Sequence, residues 1–290
     1  EEKGATAGNE GVKLESIQYH AIQDFGKTDM QQEDKKSSPS RHLLIVDDNE
    51  ELRSFLKDSL KDFYEISEAG NGAEGLERSR EVQPDLIISD VMMPDMNGLE
   101  FCKRVKEDIE ISHIPFLMLT AKNSLDSEIE GIESGADFYF SKPVSIQLLQ
   151  FTIRNIFTQK QKLIDHYNKD RHAEVKELVH TTKDKQFMDK LLQIIDSQLI
   201  NPELDIEMLC TEIGMSRTSL YQKIKSITGQ PIGEFVRSIR LRKAIELMTH
   251  EDISISEVMF RVGIQSQSYF TKAFKKEFGK TPSQFLQELN

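Results

Sequence analysis

The chain has 290 residues, room for roughly two domains at ~150 residues each. With 38% hydrophobic and 30% charged residues it has the ordinary composition of a chain that can build a core, which excludes a purely low-complexity polymer. The net charge of −12 argues weakly against a polyanionic partner, but it is unevenly distributed. Residues 180–290 carry 15 basic and 14 acidic side chains, so the remaining 179 hold 22 and 35, a net of −13. The acidic part can gather carboxylates around a cation, and the C-terminal part can approach a polyanion. The two cysteines, Cys102 and Cys210, fall in different candidate domains and give neither a disulfide framework nor a zinc spacing. No apolar run approaches the ~20 residues of a membrane span, and no secretory signal precedes the first strand. The expectation is a cytoplasmic chain without membrane contact; a start at Glu1 rather than Met hints at a piece of a longer polypeptide.

Residues 1–40 are polar and rich in Gly, Ser and Gln, ending in Ser37-Ser38-Pro39-Ser40, and read as a disordered leader or linker. From Arg41 the pattern changes. Leu43–Val46 reads as a buried strand ending in Asp47-Asp48, and Leu52, Phe55, Leu56 and Leu60 at helical spacing follow. Next come a strand near Tyr64–Ser67, a helix near Gly72–Glu81, and the apolar run Leu86–Ile88, which ends on Asp90 ahead of a Pro-Asp-Met-Asn-Gly turn. A helix over Leu99–Asp108, a strand over Pro115–Thr120, a helix over Leu125–Ser134, a strand over Asp137–Phe140 and a helix over Ser145–Phe157 complete five strand–helix units. Such alternation calls for a doubly wound α/β fold with a five-stranded parallel sheet.

Chemistry in such sheets gathers at the carboxyl ends of the strands. Those ends carry Asp47 and Asp48, Asp90, Thr120 and Lys142. Three converging carboxylates repel one another unless a cation joins them, and hard oxygen ligands with room for water suit Mg²⁺. A nearby ammonium and hydroxyl would complement phosphoryl oxygens, leaving Asp90 as a carboxylate nucleophile that forms an acyl phosphate. Taken alone, Asp90 could equally be a solvated strand-end residue; the constellation is what favours function.

Residues 41–158 resemble the receiver domain of two-component response regulators. The matching elements are Val46-Asp47-Asp48, Ser89-Asp90-Val91-Met92-Met93-Pro94, Thr120-Ala121, and Gly135-Ala136-Asp137 leading to Ser141-Lys142-Pro143. The resemblance implies that Asp90 is the phosphoacceptor, with Asp47, Asp48, Asp90 and the Met92 backbone carbonyl as metal ligands. It implies phosphoryl-binding or switch roles for Thr120, Ala121, Tyr139, Lys142 and Pro143, with a Lys142-Pro143 peptide of the cis form typical there. The output surface it implies is the helix Leu125–Ser134, the last strand and the last helix.

Residues 159–183 are polar and helix-compatible and read as a helical connector; His166, His172 and His180 fall there at spacings that do not share a helical face, so solvated histidines are favoured over a metal site. From residue 184 the chain reads as all-α. Phe187, Leu191, Leu192, Ile195 and Leu199 line one helix face that ends before Asn201-Pro202. A short helix from Ile206, a turn at Gly214, a Ser216 cap and a helix to Ile227 form a helix-turn-helix. Leu220, Ile224 and Ile227 point inward there; Thr218, Gln222 and Lys225 project opposite, flanked by Arg217 and Tyr221. The unit returns at Ser256–Phe278, with Phe270, Ala273 and Phe274 inward, Ser268, Thr271, Lys272 and Lys275 outward, and Gln267 in the first turn. Between the units lies a long helix, Ile232–Met248, carrying Arg237, Arg240, Arg242 and Lys243; residues 208–280 hold 12 basic against 7 acidic side chains. Amide-bearing faces suit base edges, while Lys and Arg suit phosphates.

Residues 184–290 resemble the AraC-type DNA-binding domain, carried by Leu204–Gly229, Ile253–Ile264, and Ser268 through Phe274-Lys275-Lys276-Glu277-Phe278-Gly279 to Thr281-Pro282. The resemblance implies base readout by Thr218, Tyr221 and Gln222, and by Gln267, Ser268, Thr271 and Lys272. The combined expectation is a regulator phosphorylated by a histidine kinase, in trans or in the same parent chain, that binds DNA as a phosphorylation-favoured homodimer. Receiver plus AraC-type output behind a linker-like leader also resembles the cytoplasmic end of hybrid two-component proteins. No ATP-binding boxes are seen in these residues, so the fragment is expected not to be an enzyme. The competing readings are a phosphorelay module whose helical half binds protein, and a phosphatase-like enzyme for which neither a substrate pocket nor a general acid is identifiable.

Overall fold

Short apolar runs alternating with capped amphipathic stretches produce the first half of the molecule. The computed structural model describes residues 41–121, 135–169, 178–179 and 181–289, all within one compact unit. The leader, the expected helix Leu125–Ser134, His172 and His180 lie outside the described residues.

Strands β1 (His42–Val46), β2 (Glu65–Ala69), β3 (Leu86–Asp90), β4 (Phe116–Ala121) and β5 (Phe138–Lys142) form one parallel sheet in the order β2-β1-β3-β4-β5. Helices α1 (Glu50–Leu60), α2 (Gly72–Val82) and α3 (Gly98–Glu107) follow the first three strands. Each begins on an asparagine, Asn49, Asn71 or Asn97, whose side chain accepts a backbone N–H from the first turn, satisfying a donor with no intrahelical partner. β3 is buried along its whole length, as expected of a central strand covered on both faces. Two apolar cores flank the sheet, one around Phe101, Val105 and Phe116 and the other around Leu56, Leu117 and Ile153.

Three local expectations shift. Phe55 is half exposed, because the buried stripe of α1 runs through Leu56 and Leu60, and a neighbour in sequence lies ~100° round the helix. β2 and β5 begin and end later than the apolar pattern implied, so Lys142 is the last residue of β5 and pairs with Ala121. The last receiver helix does not stop at Phe157: α4 (Ile146–Lys169) runs unbroken into the expected connector, with no Gly or Pro to end it. In its second half Tyr167 joins the core of the helical half and Ile164 is buried beside Gly229, so apolar periodicity carries across the boundary.

That half comprises α5 (Thr182–Ser197), α6 (Ile206–Ile213), α7 (Arg217–Thr228), α8 (Ile232–His250), α9 (Ile255–Arg261), α10 (Gln267–Phe278) and α11 (Pro282–Leu289). The duplication is visible in the caps. Asp205, Ser216, Ser254 and Ser266 cap α6, α7, α9 and α10. Both second helices of the pairs, α7 and α10, end on a left-handed glycine, Gly229 and Gly279, and Phe235 and Phe285 beyond them are buried. Gly263, at φ +66, turns between α9 and α10; a Cβ there would meet the Leu199 carbonyl at 2.4 Å, so the position demands glycine.

Candidate acid cluster and nucleic-acid interface

The parallel register carries Asp47, Asp90 and Lys142 to one rim of the sheet. One carboxylate oxygen each from Asp47, Asp48 and Asp90 lies within 4.8 Å of the others. Asp47 and Asp90 are buried and Asp48 is exposed, so the cluster opens to solvent on one side. The Asp47 carboxylate accepts from the Asn49 N–H at 2.9 Å, and its backbone carbonyl accepts from Arg53 at 2.6 Å. Asp90 accepts the Val91 N–H at 2.9 Å. Lys142 reaches Asp90 at 2.8 Å and Asp47 at 3.2 Å.

Burial pushes the Asp90 carboxyl above its ordinary value, and the Asp47 charge adds to this, while Lys142 and the Val91 N–H oppose it. Burial works against the Lys142 charge as well, yet its contacts with Asp90 and Asp47 raise it above the usual lysine value. An oxygen-only cluster in which burial and crowding destabilise the ionised Asp90 carboxylate has the donor chemistry of a hard divalent cation. Gly98 is needed for this loop to close: a Cβ would stand 2.0 Å from the Asp90 carbonyl, and the Gly98 N–H donates to Val91 O at 2.9 Å.

Thr120 lies half-buried near the end of β4 and Tyr139 half-buried within β5, paired with Met118. The Met92 side chain is exposed, two residues beyond Asp90. Ala121 pairs with Lys142, and the Lys142-Pro143 peptide is cis.

On the helical half, Arg217, Thr218, Tyr221 and Lys225 are exposed on α7, with Gln222 half-buried beside them. Gln267, Ser268, Lys272 and Lys275 are exposed on α10, and Thr271 is half-buried. The sequence-selected polar faces therefore remain available, apart from Arg217, which lies 3.7 Å from Glu207.

Other cations are used differently from what the sequence pattern implied. Arg240 donates to the carbonyls of Gly263 and Asn201, and Arg242 donates to that of Tyr167, so these two α8 arginines clamp backbone rather than await phosphate. Lys223, on the inner side of α7, is fully buried. Its ammonium meets Asp184 of α5 at 2.5 Å and donates to Ser112 at 2.9 Å, and Ser112 donates to Asp184 at 2.7 Å. Burial pulls this ammonium below its ordinary value, opposed by Asp184. Ser112 belongs to the loop before β4, so a closed three-residue network joins the sheet half to the first helix-turn-helix. The clue in the sequence was the stripe itself, since Lys223 is three residues after Leu220 and next to Ile224.

A rim of carboxylates with a lysine stands on a doubly wound sheet that is followed by two helix-turn-helix units. Residues 43–154 match the family model "Response regulator receiver domain", and residues 209–288 match a "Helix-turn-helix domain", of the AraC type. The chain thus carries a response-regulator receiver domain followed by a helix-turn-helix domain of the AraC type. It is 40% identical over 243 residues to Histidine kinase P4 of Formosa agariphila, a match covering 84% of this chain and 18% of that protein. It is 36% identical over 121 residues to the transcriptional regulatory protein AfsQ1 of Streptomyces coelicolor, covering 41% of this chain and 52% of that one. The chain therefore spans only part of these relatives. A solved structure of a putative response regulator from Chloroflexus aurantiacus is 36% identical, with a TM-score of 0.40, covering 41% of this chain and 99% of that one. Neither matched family is an enzyme's catalytic domain, and among the described residues no helix is long and apolar enough to cross a membrane.

Proposed function

We propose that this chain is a phosphorylation-controlled, sequence-specific DNA-binding regulator in which Asp90 takes its phosphoryl group from a histidine kinase. The observation that carries the reading is the Asp47–Asp48–Asp90 cluster with Lys142 at 2.8 Å from Asp90. In the transfer, the phosphorus–nitrogen bond of a phosphohistidine breaks as an Asp90 carboxylate oxygen bonds to phosphorus, and the imidazole leaves. Asp47, Asp48, Asp90 and the Met92 carbonyl would hold Mg²⁺, which when bound offsets negative charge on nucleophile and phosphoryl group alike. Lys142 keeps its proton and moves from the carboxylates to a phosphoryl oxygen. The Thr120 hydroxyl donates to another oxygen, the Ala121 backbone lies alongside, and Pro143 fixes the chain beyond Lys142. Tyr139 turns inward as Thr120 moves, shifting a two-state equilibrium by a few kcal/mol.

The working division is a leader over 1–40, a receiver over 41–158, a connector over 159–183 and an AraC-type domain over 184–290. Base contacts are assigned to Thr218, Tyr221, Gln222, Gln267, Ser268, Thr271 and Lys272, and flanking contacts to Arg217, Lys225 and Lys275. Phosphorylation favours a homodimer on paired sites. Similarity to Histidine kinase P4 over most of this chain supports a parent protein that also carries a kinase, with these residues in the cytoplasm.

The deciding experiment measures DNA binding with and without Mg²⁺ and a small phosphoryl donor, for the wild type and Asp90→Asn. Donor-dependent tightening that disappears in the variant is the expected result. Equal binding in every condition removes the coupling, and absence of salt-dependent DNA binding favours the protein-binding relay.

A further inference from the structure

Between the sheet half and the first helix-turn-helix lies a half-open cavity of about 400 Å³, lined by both. Its volume is that of a small-ligand site, typically ~300–1,000 Å³, and seams between domains are common places for one. The walls are mostly apolar, with Ile156 and Ile164 from α4, Val179, and Ile227 from α7.

The polar groups that line it are unequally satisfied. Lys106 is paired with Asp137 at 2.5 Å, and Asp184 is paired with the neighbouring Lys223. Lys160, partly buried on α4, has for partner only the Ser226 hydroxyl, at 2.8 Å; among the described residues no carboxylate forms an ion pair with it. His113 shares the wall, and its buried Nδ1 has no hydrogen-bond partner. Burial, reinforced by the ammonium groups of Lys223, Lys160 and Lys106, holds this imidazole well below its ordinary value and hence neutral. The cavity therefore presents an apolar body and one ammonium that, among the described residues, has no carboxylate within ion-pair distance, with the His113 ring in the wall. A buried charge without a partner is costly, and a ligand supplying the counter-charge would relieve that cost.

We propose that this cavity binds a small amphipathic monocarboxylate. Its carboxylate lies against the Lys160 ammonium, with the His113 ring in the same wall as a reporter, and its aromatic or branched aliphatic part lies against Ile164, Val179 and Ile227. A single ammonium held by a hydroxyl, with Asp85 and Asp184 acting on it only at longer range, matches a monoanion better than a phosphate dianion. Because both halves of the molecule supply walls, the occupant stabilises their docked arrangement by linkage. This site is separate from the acid cluster and does not depend on phosphorylation of Asp90.

The test titrates the full chain with a panel of aromatic and branched-chain monocarboxylates, phenylacetate among them. Each is run beside its neutral alcohol and its ammonium counterpart, with the His113 imidazole resonances and thermal melting as readouts. At least one carboxylate should give a saturable His113 shift at millimolar concentration and raise the melting temperature. Its alcohol should bind at least about tenfold more weakly. Lys160→Met should abolish the preference for carboxylate over alcohol while remaining folded by circular dichroism, and Ile227→Trp, which fills the cavity, should remove binding of both. No response to any carboxylate overturns the proposal, as does equal affinity for carboxylate and alcohol, or a preference that survives Lys160→Met. If neither variant folds, competition by phenylacetate against an aromatic sulfonate probe on the wild type decides: displacement by the acid but not the alcohol supports the site, and equal displacement overturns it.

Discussion

The two helix-turn-helix units share caps, turn glycines and exposed polar faces, yet their inner faces are built from different physics. The second is aromatic: Phe274 packs against Phe270, Phe278 and Phe285 with ring centroids 4.7–5.9 Å apart. The first buries an ammonium, Lys223, whose counter-ion is on α5 and whose hydroxyl partner, Ser112, is in the sheet half. A dispersion-held core is tolerant of how its neighbours approach. A buried ion pair is not, because losing one partner leaves a charge without water. The lesson is that a repeated motif can keep equivalent outer faces while, among the described residues, a buried side-chain network ties the first copy and not the second to the sheet half.

The largest expected effect comes from Asp184→Ala, which strands the Lys223 charge and should cost about 3–5 kcal/mol in denaturant unfolding. Pairing it with Lys223→Met should recover most of that loss, since an apolar replacement of both ions is often near neutral. Failure of the double variant to recover would mean that the network, not the stranded charge, supplies the stability. Phe274→Ala should cost a comparable or slightly smaller amount, about 3–4 kcal/mol. Unlike Asp184→Ala, it should loosen the second unit selectively, as read by hydrogen exchange in α10 and α11. Uniform loosening would erase the contrast between the units.

A smaller effect is expected from Lys160, whose ammonium burial lowers from 10.5 to about 8. Both states are protonated below about pH 8, so the full burial penalty is present there. Between about pH 8 and 10.5 the unfolded chain binds more protons, and stability contributed by this group rises with pH. Lys160→Met should therefore stabilise the ligand-free chain at neutral pH by about 1–3 kcal/mol and flatten that rise, measured as melting temperature against pH. The smallest effect belongs to Ser112→Ala. It removes one hydroxyl from the network and should cost about 1 kcal/mol, with the Asp184–Lys223 pair still closed.

Much of this is legible in the sequence. Leu43–Val46, Leu86–Ile88 and Phe116–Leu119 are short apolar runs bounded by polar residues, and they became the buried central strands. Serines and glycines at fixed offsets marked the ends of α7 and α10, because capping is decided within a few residues. The parallel sheet makes strand ends converge, so Asp47, Asp48, Asp90 and Lys142 could be grouped from connectivity alone. The continuation of α4 past Phe157 was harder to see, because its later apolar residues face the helical half rather than the sheet.

The sequence by itself determined the elements, the acid cluster and the outward polar faces, since each follows from local spacing plus a sheet whose strands run one way. Only the tertiary structure decided the fate of individual cations. Lys223, Lys225 and Lys160 are chemically identical, and yet one is sealed in an ion pair, one is exposed, and one stands at a cavity with a hydroxyl as its hydrogen-bond partner among the described residues. Which of these a lysine meets depends on desolvation and on partners 39 to 111 residues away in the Lys223 network and 66 away for Lys160, and such separations leave no mark on local pattern.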